Sequence, residues 1–165
     1  MAQISTTLDE IRQLERVFDM TIPPAFLDEN QHVNVQYYLH LLERGLGEIF
    51  RQVGLGERYA SADKIGNFAL EQHIRYLAEL LQNDRVSVYI RLLELKPKRA
   101  YFIGFLVNDS REELAATVEI VMMNVDIVRR RGTPFPPAAK QKLEHLLARH
   151  SSLLWPAPVC GVMRA

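Results

Sequence analysis

The apolar positions of the chain follow two rhythms. From Val35 to Val53, residues Val35, Tyr38, Leu39, Leu42, Leu46, Ile49, Phe50 and Val53 recur at steps of three and four, which predicts one long amphipathic helix. Asn34 stands where a helix cap belongs, and Gly54 and Gly56 end the pattern. Elsewhere the period is two. Phe18, Met20 and Ile22 alternate with Val17, Asp19 and Thr21, a first strand that Pro23-Pro24 terminates. Four more strands follow the helix: Phe68 to Tyr76, Val86 to Leu92, an apolar run from Ala100 to Val107, and Leu114 to about Asp126. Gln82-Asn83-Asp84, Lys96-Pro97-Lys98 and Asn108-Asp109-Ser110 supply the turns. A short helix from Thr7 to about Glu15 precedes these elements, and a terminal helix from Lys140 to Arg149 follows them through Leu143, Leu146 and Leu147.

Turns this close together predict an antiparallel meander, because parallel crossovers need a dozen or more residues. A helix apolar over much of its surface needs a sheet curved around it. The expected class is therefore α+β, with a long central helix wrapped by about five antiparallel strands, plus a C-terminal helix: the hot-dog arrangement. It forms a single domain whose core spans about residues 17–148. Gly45 and Gly47 sit inside the helix at a cost of about 1 kcal/mol each relative to alanine. Close approach of the sheet and a kinked helix are the two explanations. A loop through Gly54, Gly56 and Ser61-Ala62-Asp63 joins helix to sheet.

Composition narrows the function by exclusion. Lysine plus arginine equal aspartate plus glutamate at 20 each, so no charge excess draws the chain to nucleic acid or an anionic membrane. No apolar run reaches the length of a membrane span, and the polar start Ala2-Gln3-Ile4-Ser5-Thr6-Thr7 has no signal-peptide pattern. Cys160, the single cysteine, has no partner for an internal disulfide, which fits a reducing cytoplasm. It lies among the last six residues and is given no catalytic role. The spacing of the five histidines and the cysteine suggests no metal site, and no cofactor is expected.

The chemistry concentrates in Asp28-Glu29-Asn30-Gln31-His32-Val33-Asn34, directly ahead of the long helix. A helix N-terminus offers unpaired N–H donors and partial positive charge. Acyl transfer needs such donors where an oxyanion develops, with a base or nucleophile beside them. The stretch Asp28-x-Asn30-Gln31-His32-Val33-Asn34-x-x-Tyr37-Tyr38 resembles the signature of hot-dog thioesterases of the 4-hydroxybenzoyl-CoA thioesterase type. The likeness continues through Glu71-x-His73-Ile74-x-Tyr76-Leu77-x-Glu79, Ala115-Ala116-x-x-Glu119 and Arg129-Arg130-x-x-x-Pro134-Phe135-Pro136. It looks nearest the branch containing the betainyl-CoA thioesterases of carnitine breakdown. Gln31 stands where the family usually has glycine, and Phe26 where that branch often has tryptophan.

The resemblance implies hydrolysis of a small or medium acyl-CoA at a site shared between two subunits, in a homodimer or a dimer of dimers. Asp28 would act as nucleophile or as general base for water, with Asn30 and His32 orienting Asp28 or the water. Amides near Asn34 and Val35 would polarise the thioester carbonyl. Arg129, Arg130 and Arg131 suit the phosphates of coenzyme A through their planar donor forks, although a charge run also reads as solvated surface. Tyr37, Tyr38 and Trp155 are candidates to cage a cationic acyl group, against the alternative of core packing. Glu71, His73 and Arg75 share one strand face, which reads as a solvated face, with His73 kept as a supporting substrate-site candidate. Two other functions fit the fold. One is a non-catalytic acyl-CoA-binding or regulatory domain; the other is a hydratase, which needs its Asp/His pair on the helix itself.

Overall fold

The structure, a computed structural model, describes residues 6–56 and 64–165, and the loop expected through Ser61, Ala62 and Asp63 lies outside them. The elements run α1 (Leu8–Ile11), β1 (Arg16–Thr21), a turn of 3-10 helix (Pro24–Phe26), α2 (Val35–Val53), β2 (Ile65–Tyr76), β3 (Arg85–Leu95), β4 (Arg99–Asn108), β5 (Glu113–Asp126), β6 (Arg131–Gly132) and α3 (Pro137–Ser151). The strands form one antiparallel sheet in the order β1-β3-β4-β5-β2, and β6 pairs with β5. No helix among the described residues is long and apolar enough to cross a membrane.

The central helix is the one the apolar rhythm predicts. Asn34 caps it by accepting the Gln36 N–H at 3.1 Å, and Gly54 ends it at φ 90°, a left-handed conformation that suits glycine. Tyr38, Leu41, Leu42, Leu46, Ile49, Phe50 and Val53 are buried against the concave face of the sheet, including Val88, Ile90, Phe102, Val118 and Ile120. Val35 departs from the pattern: it lies in the first turn, clear of the sheet, and is 60% exposed. Gly45 is explained by close approach, because a β-carbon there would run into Val88 and meet Val17 Cγ2 at 3.2 Å. Gly47 has nothing within 4 Å of such a β-carbon, so close packing does not account for it.

Three elements differ from their predicted form. The first helix is a single turn with a Thr7–Glu10 capping box, stopped at Arg12. In β2 the alternation breaks: a bulge between Ala69 and Glu71 leaves Leu70 outside the register with β5. An extra residue flips the faces that follow it. Glu71, His73 and Arg75 thereby pair with Val121, Glu119 and Thr117 on the convex face, while Ile74 opposite Val118 turns to the core. The two-residue β6 was hidden among residues that read only as pattern breakers.

The convex face has its own cover. Ile11 and Leu14 with Trp155 pack on Tyr89, Ile103 and Phe105, and Met163 packs on Tyr101 and Val121. The segment after α3 thus lies across the back of the sheet, beyond residue 148, where the expected core ends. Arg91 holds it there, donating to the carbonyls of His150, Leu153 and Trp155 at 3.1, 3.4 and 2.9 Å and stacking 4.3 Å from the Trp155 ring. Burial pulls the Arg91 pKa below its ordinary value.

His150 joins α3 to the sheet, its Nδ1 accepting the Leu92 N–H at 2.8 Å. Burial, helped by Arg149 and Arg91, lowers its pKa to about 4 from the ordinary 6.5. The folded chain therefore binds fewer protons than the unfolded one between those values. The contribution is complete above about pH 6.5, falls as the pH drops towards about 4, and is worth up to roughly 3 kcal/mol. His150→Asn keeps an acceptor near the Nδ1 position and removes the titration. Urea midpoints measured from pH 7 to 4 should fall less steeply for the variant than for the parent. Parallel curves would show that His150 is not a pH-sensitive anchor.

Candidate functional site

The loop ahead of α2 is closed by its own backbone. Leu27 and Val33 form an isolated antiparallel bridge, and the Asp28 N–H donates to His32 O at 2.8 Å. Inside this ring the Asp28 carboxylate turns inward: Oδ1 accepts the N–H groups of Asn30 at 2.8 Å and His32 at 3.3 Å. Short side chains that accept from nearby amides stabilise turns in this way. Oδ2 takes no part in the turn. Asp28 is half-buried and fixed through one oxygen, and the other has no hydrogen-bond partner among the described residues.

Two contacts seat the loop against the protein. The Val33 N–H donates to Leu80 O at 2.9 Å. The Tyr38 hydroxyl donates to Ala78 O at 3.2 Å and accepts the Leu80 N–H at 2.8 Å. Burial raises the Tyr38 pKa, so the phenol stays protonated and keeps its donor. Tyr38 is consequently a brace for α2, and its hydroxyl is committed to the backbone of residues 78–80.

The two amides expected to polarise a carbonyl have different fates. The Asn34 N–H is engaged with Phe26 O at 2.9 Å. The Gln36 N–H is taken by the Asn34 cap and the Tyr37 N–H by Asn34 O. The Val35 N–H has no acceptor among the described residues, and it sits at the positive end of α2, directly after Asn34. It is the available donor of the pair.

The other candidates divide into those near this loop and those away from it. His32 Nε2 lies 3.3 Å from Glu79 Oε2, an exposed contact between the loop and the segment after β2, and Arg111 reaches the same Glu79 at 3.6 Å. The Asn30 side chain is exposed beside Asp28. Tyr37 stacks face to face on Phe26 at 4.0 Å, with His40 edge-on to both rings. Trp155 is on the convex face against Phe105, so Tyr37, Tyr38 and Trp155 are not assembled into a cage. His73 is also on the convex face, its Nδ1 3.0 Å from Glu119 Oε1. Glu119, Glu79 and Phe26 carry contacts that the sequence alone did not assign, although all three fall in or beside the quoted motifs.

Arg129, Arg130 and Arg131 are exposed at the β5–β6 turn, with Arg129 Nε 3.8 Å from Asp126. Asp126 pairs with Ile65 at the start of β2, whereas the Asp28 loop docks beyond Tyr76 at its end. Twelve strand residues separate the two, a length of roughly 36 Å at about 3.3 Å per step. Within one chain the arginine run and the loop stand at opposite ends of the molecule.

A sequence model of the thioesterase-like superfamily matches residues 22–143. The L-carnitine dehydrogenase/betainyl-CoA thioesterase of Agrobacterium fabrum is 30% identical over 139 residues, covering 84% of this chain and 28% of that protein. The betainyl-CoA thioesterase of Pseudomonas aeruginosa is 24% identical over 151 residues, covering 92% of this chain and 95% of that protein. The chain thus spans under a third of the first relative's length and nearly all of the second's. A hypothetical protein from Staphylococcus aureus, solved in complex with CoA, superposes with a TM-score of 0.80 at 22% identity, over 93% of this chain and 94% of that one. The similarity to such structures bears out the hot-dog fold.

Gln31, where the resemblance has glycine, adopts φ 63°. The turn is therefore kept in its left-handed form with a side chain that pays a steric cost there. Gln31→Gly should leave the fold intact and stabilise it by up to about 1 kcal/mol in urea melts. A loss of stability larger than about 0.5 kcal/mol would mean that the glutamine side chain makes a compensating contact.

Proposed function

On the premise that the chain belongs to the thioesterase-like superfamily, we propose that it hydrolyses the thioester of a small or medium acyl-CoA at the Asp28 loop. One observation carries this: a half-buried carboxylate, pinned through Oδ1, sits beside a helix N-terminus whose Val35 N–H is unengaged. The thioester carbonyl oxygen would accept from that amide, where the helix end stabilises developing negative charge. Asp28 Oδ2 would then attack the carbonyl carbon or take a proton from the attacking water. On the first route the C–S bond breaks to leave an acyl–Asp28 anhydride, which a water molecule then hydrolyses; on the second the water oxygen joins the acyl carbon as the C–S bond breaks. Either way coenzyme A takes up a proton and leaves as the thiol, and the acyl group leaves as the carboxylic acid. Asn30 and His32 act through the loop, their amides fixing the direction of the Asp28 carboxylate.

The site is proposed to be completed in a homodimer. β2 is an edge strand, and Phe68, Leu70 and Tyr76 on it are 46%, 49% and 46% exposed, a combination that needs cover. Antiparallel pairing of β2 with its copy would bring the start of one strand beside the end of the other. That operation carries the arginine turn of one subunit towards the Asp28 loop of its partner. It would remove the separation of roughly 36 Å found within one chain, as phosphate binding by Arg129, Arg130 and Arg131 requires.

Asp28→Asn is the informative variant, because an amide oxygen still accepts the Asn30 and His32 amides while the charge is gone. Assayed by release of free thiol from a panel of acyl-CoAs, kcat should fall at least about a hundredfold. Binding of a non-hydrolysable acyl-CoA analogue and the oligomeric state should be retained. A folded variant that hydrolyses at the parent rate would remove Asp28 from the reaction. A parent that binds acyl-CoA and hydrolyses none of the panel would instead make this a binding domain.

A further inference from the structure

On the convex face of the sheet, away from α2, three side chains of different chemistry converge from three parts of the chain. His73 on β2 and Glu119 on β5 are register partners, with Nδ1 and Oε1 3.0 Å apart. Cys160, in the segment after α3, donates its backbone N–H to the same carboxylate oxygen at 2.8 Å. The ligand-capable atoms of all three, one nitrogen, one oxygen and one sulfur, lie within 4.8 Å of one another. Sequence spacing concealed this, since the residues are 46 and 41 positions apart.

We propose that His73, Glu119 and Cys160 form a zinc site that fastens the C-terminal segment to strands β2 and β5. Donors around a tetrahedral zinc ion, at about 2.0–2.3 Å from the metal, are roughly 3.3–3.8 Å from each other. A separation at the 4.8 Å limit of the cluster has to shrink by roughly 1.0–1.5 Å, a movement on the scale of side-chain rotations at Cys160 and His73. His73 and Glu119 are fixed by the β2–β5 ladder. Cys160 is fixed by its own N–H, by the buried Met163 and by the Ala165 N–H on Glu94 at 2.8 Å.

The donor chemistry selects the ion. A thiolate with an imidazole and a carboxylate suits zinc and discriminates against magnesium and calcium, which prefer all-oxygen shells. One thiolate and one carboxylate balance the two charges of the ion, and the fourth position remains open to water. Binding replaces the thiol proton, which goes to solvent, and exchanges the Nδ1 proton that His73 gives to Glu119 for one on Nε2, so that Nδ1 ligates.

Glu119 is already oriented for the task. It is 2% exposed, and the Tyr101 hydroxyl donates to its second oxygen, as outer-shell donors do for ligating carboxylates. Burial alone would raise the Glu119 pKa, but hydrogen bonds from Tyr101, His73 and Cys160 outweigh it and hold the carboxyl below its ordinary value. The same burial, with the Glu119 carboxylate beside it, drives the Tyr101 phenol upward, so it remains a donor. Access is open: the His73 side chain is 44% exposed and Cys160 is exposed. The site is independent of the Asp28 chemistry, which lies on the other side of the sheet.

The full chain, freed of metal with a chelator, is titrated with Co²⁺ and then with Zn²⁺. One equivalent of Co²⁺ should produce a thiolate-to-cobalt charge-transfer band and tetrahedral visible bands, which Zn²⁺ abolishes. Zn²⁺ alone should raise Tm by several degrees, because an ion that binds only the folded chain stabilises it. Cys160→Ser and His73→Ala, both at accessible positions, should each weaken binding at least tenfold, and Cys160→Ser should lose the charge-transfer band. Circular dichroism of the metal-free variants separates loss of the site from loss of the fold. No one-equivalent binding, a cobalt spectrum without thiolate character, or undiminished affinity in both folded variants would overturn the assignment.

Discussion

The Tyr38 hydroxyl, held between Ala78 O and Leu80 N, ties the first turn of α2 to the chain that leaves β2. Much of the candidate site depends on it. The Val33 N–H donates to Leu80 O of the same segment, and the Leu27–Val33 bridge closes the loop carrying Asp28. The helix itself is positioned by burial of its apolar stripe, with Gly45 allowing Val88 and Val17 to approach its axis. A net hydrogen bond is worth about 1 kcal/mol, so the brace adds little to global stability beside the buried core. Its effect is local: it fixes where the positive end of α2 points.

The sheet serves two different surfaces. Its concave face is covered by α2 and the edge of α3, with the candidate site at the N-terminal end of α2. Its convex face is covered by α1 and the segment after α3, with Arg91 and the Glu119 cluster as polar anchors in an otherwise apolar contact. Each anchor is satisfied by hydrogen bonds, which is the condition for burying a charge without losing the fold. The bulge in β2 decides which residues belong to which face, and it is the reason His73 faces Glu119 instead of the core.

The long helix, its caps and five strands were legible because each rests on periodicity or on a terminal signal within a few residues. The bulge was not, since one inserted residue leaves local composition unchanged while inverting every side chain beyond it. The loop around Asp28 was legible as a motif, but its internal use of Oδ1 and the engagement of the Asn34 amide by Phe26 are properties of the folded ring. Tyr38 reads as an ordinary core aromatic, and only its contact with residues forty positions away shows the hydroxyl as a brace. His73, Glu119 and Cys160 share no local pattern, and strand pairing alone brings the first two together. The covering role of Trp155 and Met163 has no periodic signal, because the segment that carries them is neither helix nor strand.

In the proposed reaction the unengaged amide at the start of α2 polarises a thioester carbonyl beside Asp28. Isotope-edited infrared difference spectroscopy of a carbonyl-labelled acyl-CoA bound to the folded Asp28→Asn protein reads that polarisation directly, without turnover. The bound carbonyl band should move to lower frequency than in free substrate, as a strengthened hydrogen bond to the oxygen weakens the C=O bond. A saturated complex whose carbonyl band stays at the free-substrate frequency would show that this amide does not polarise the thioester.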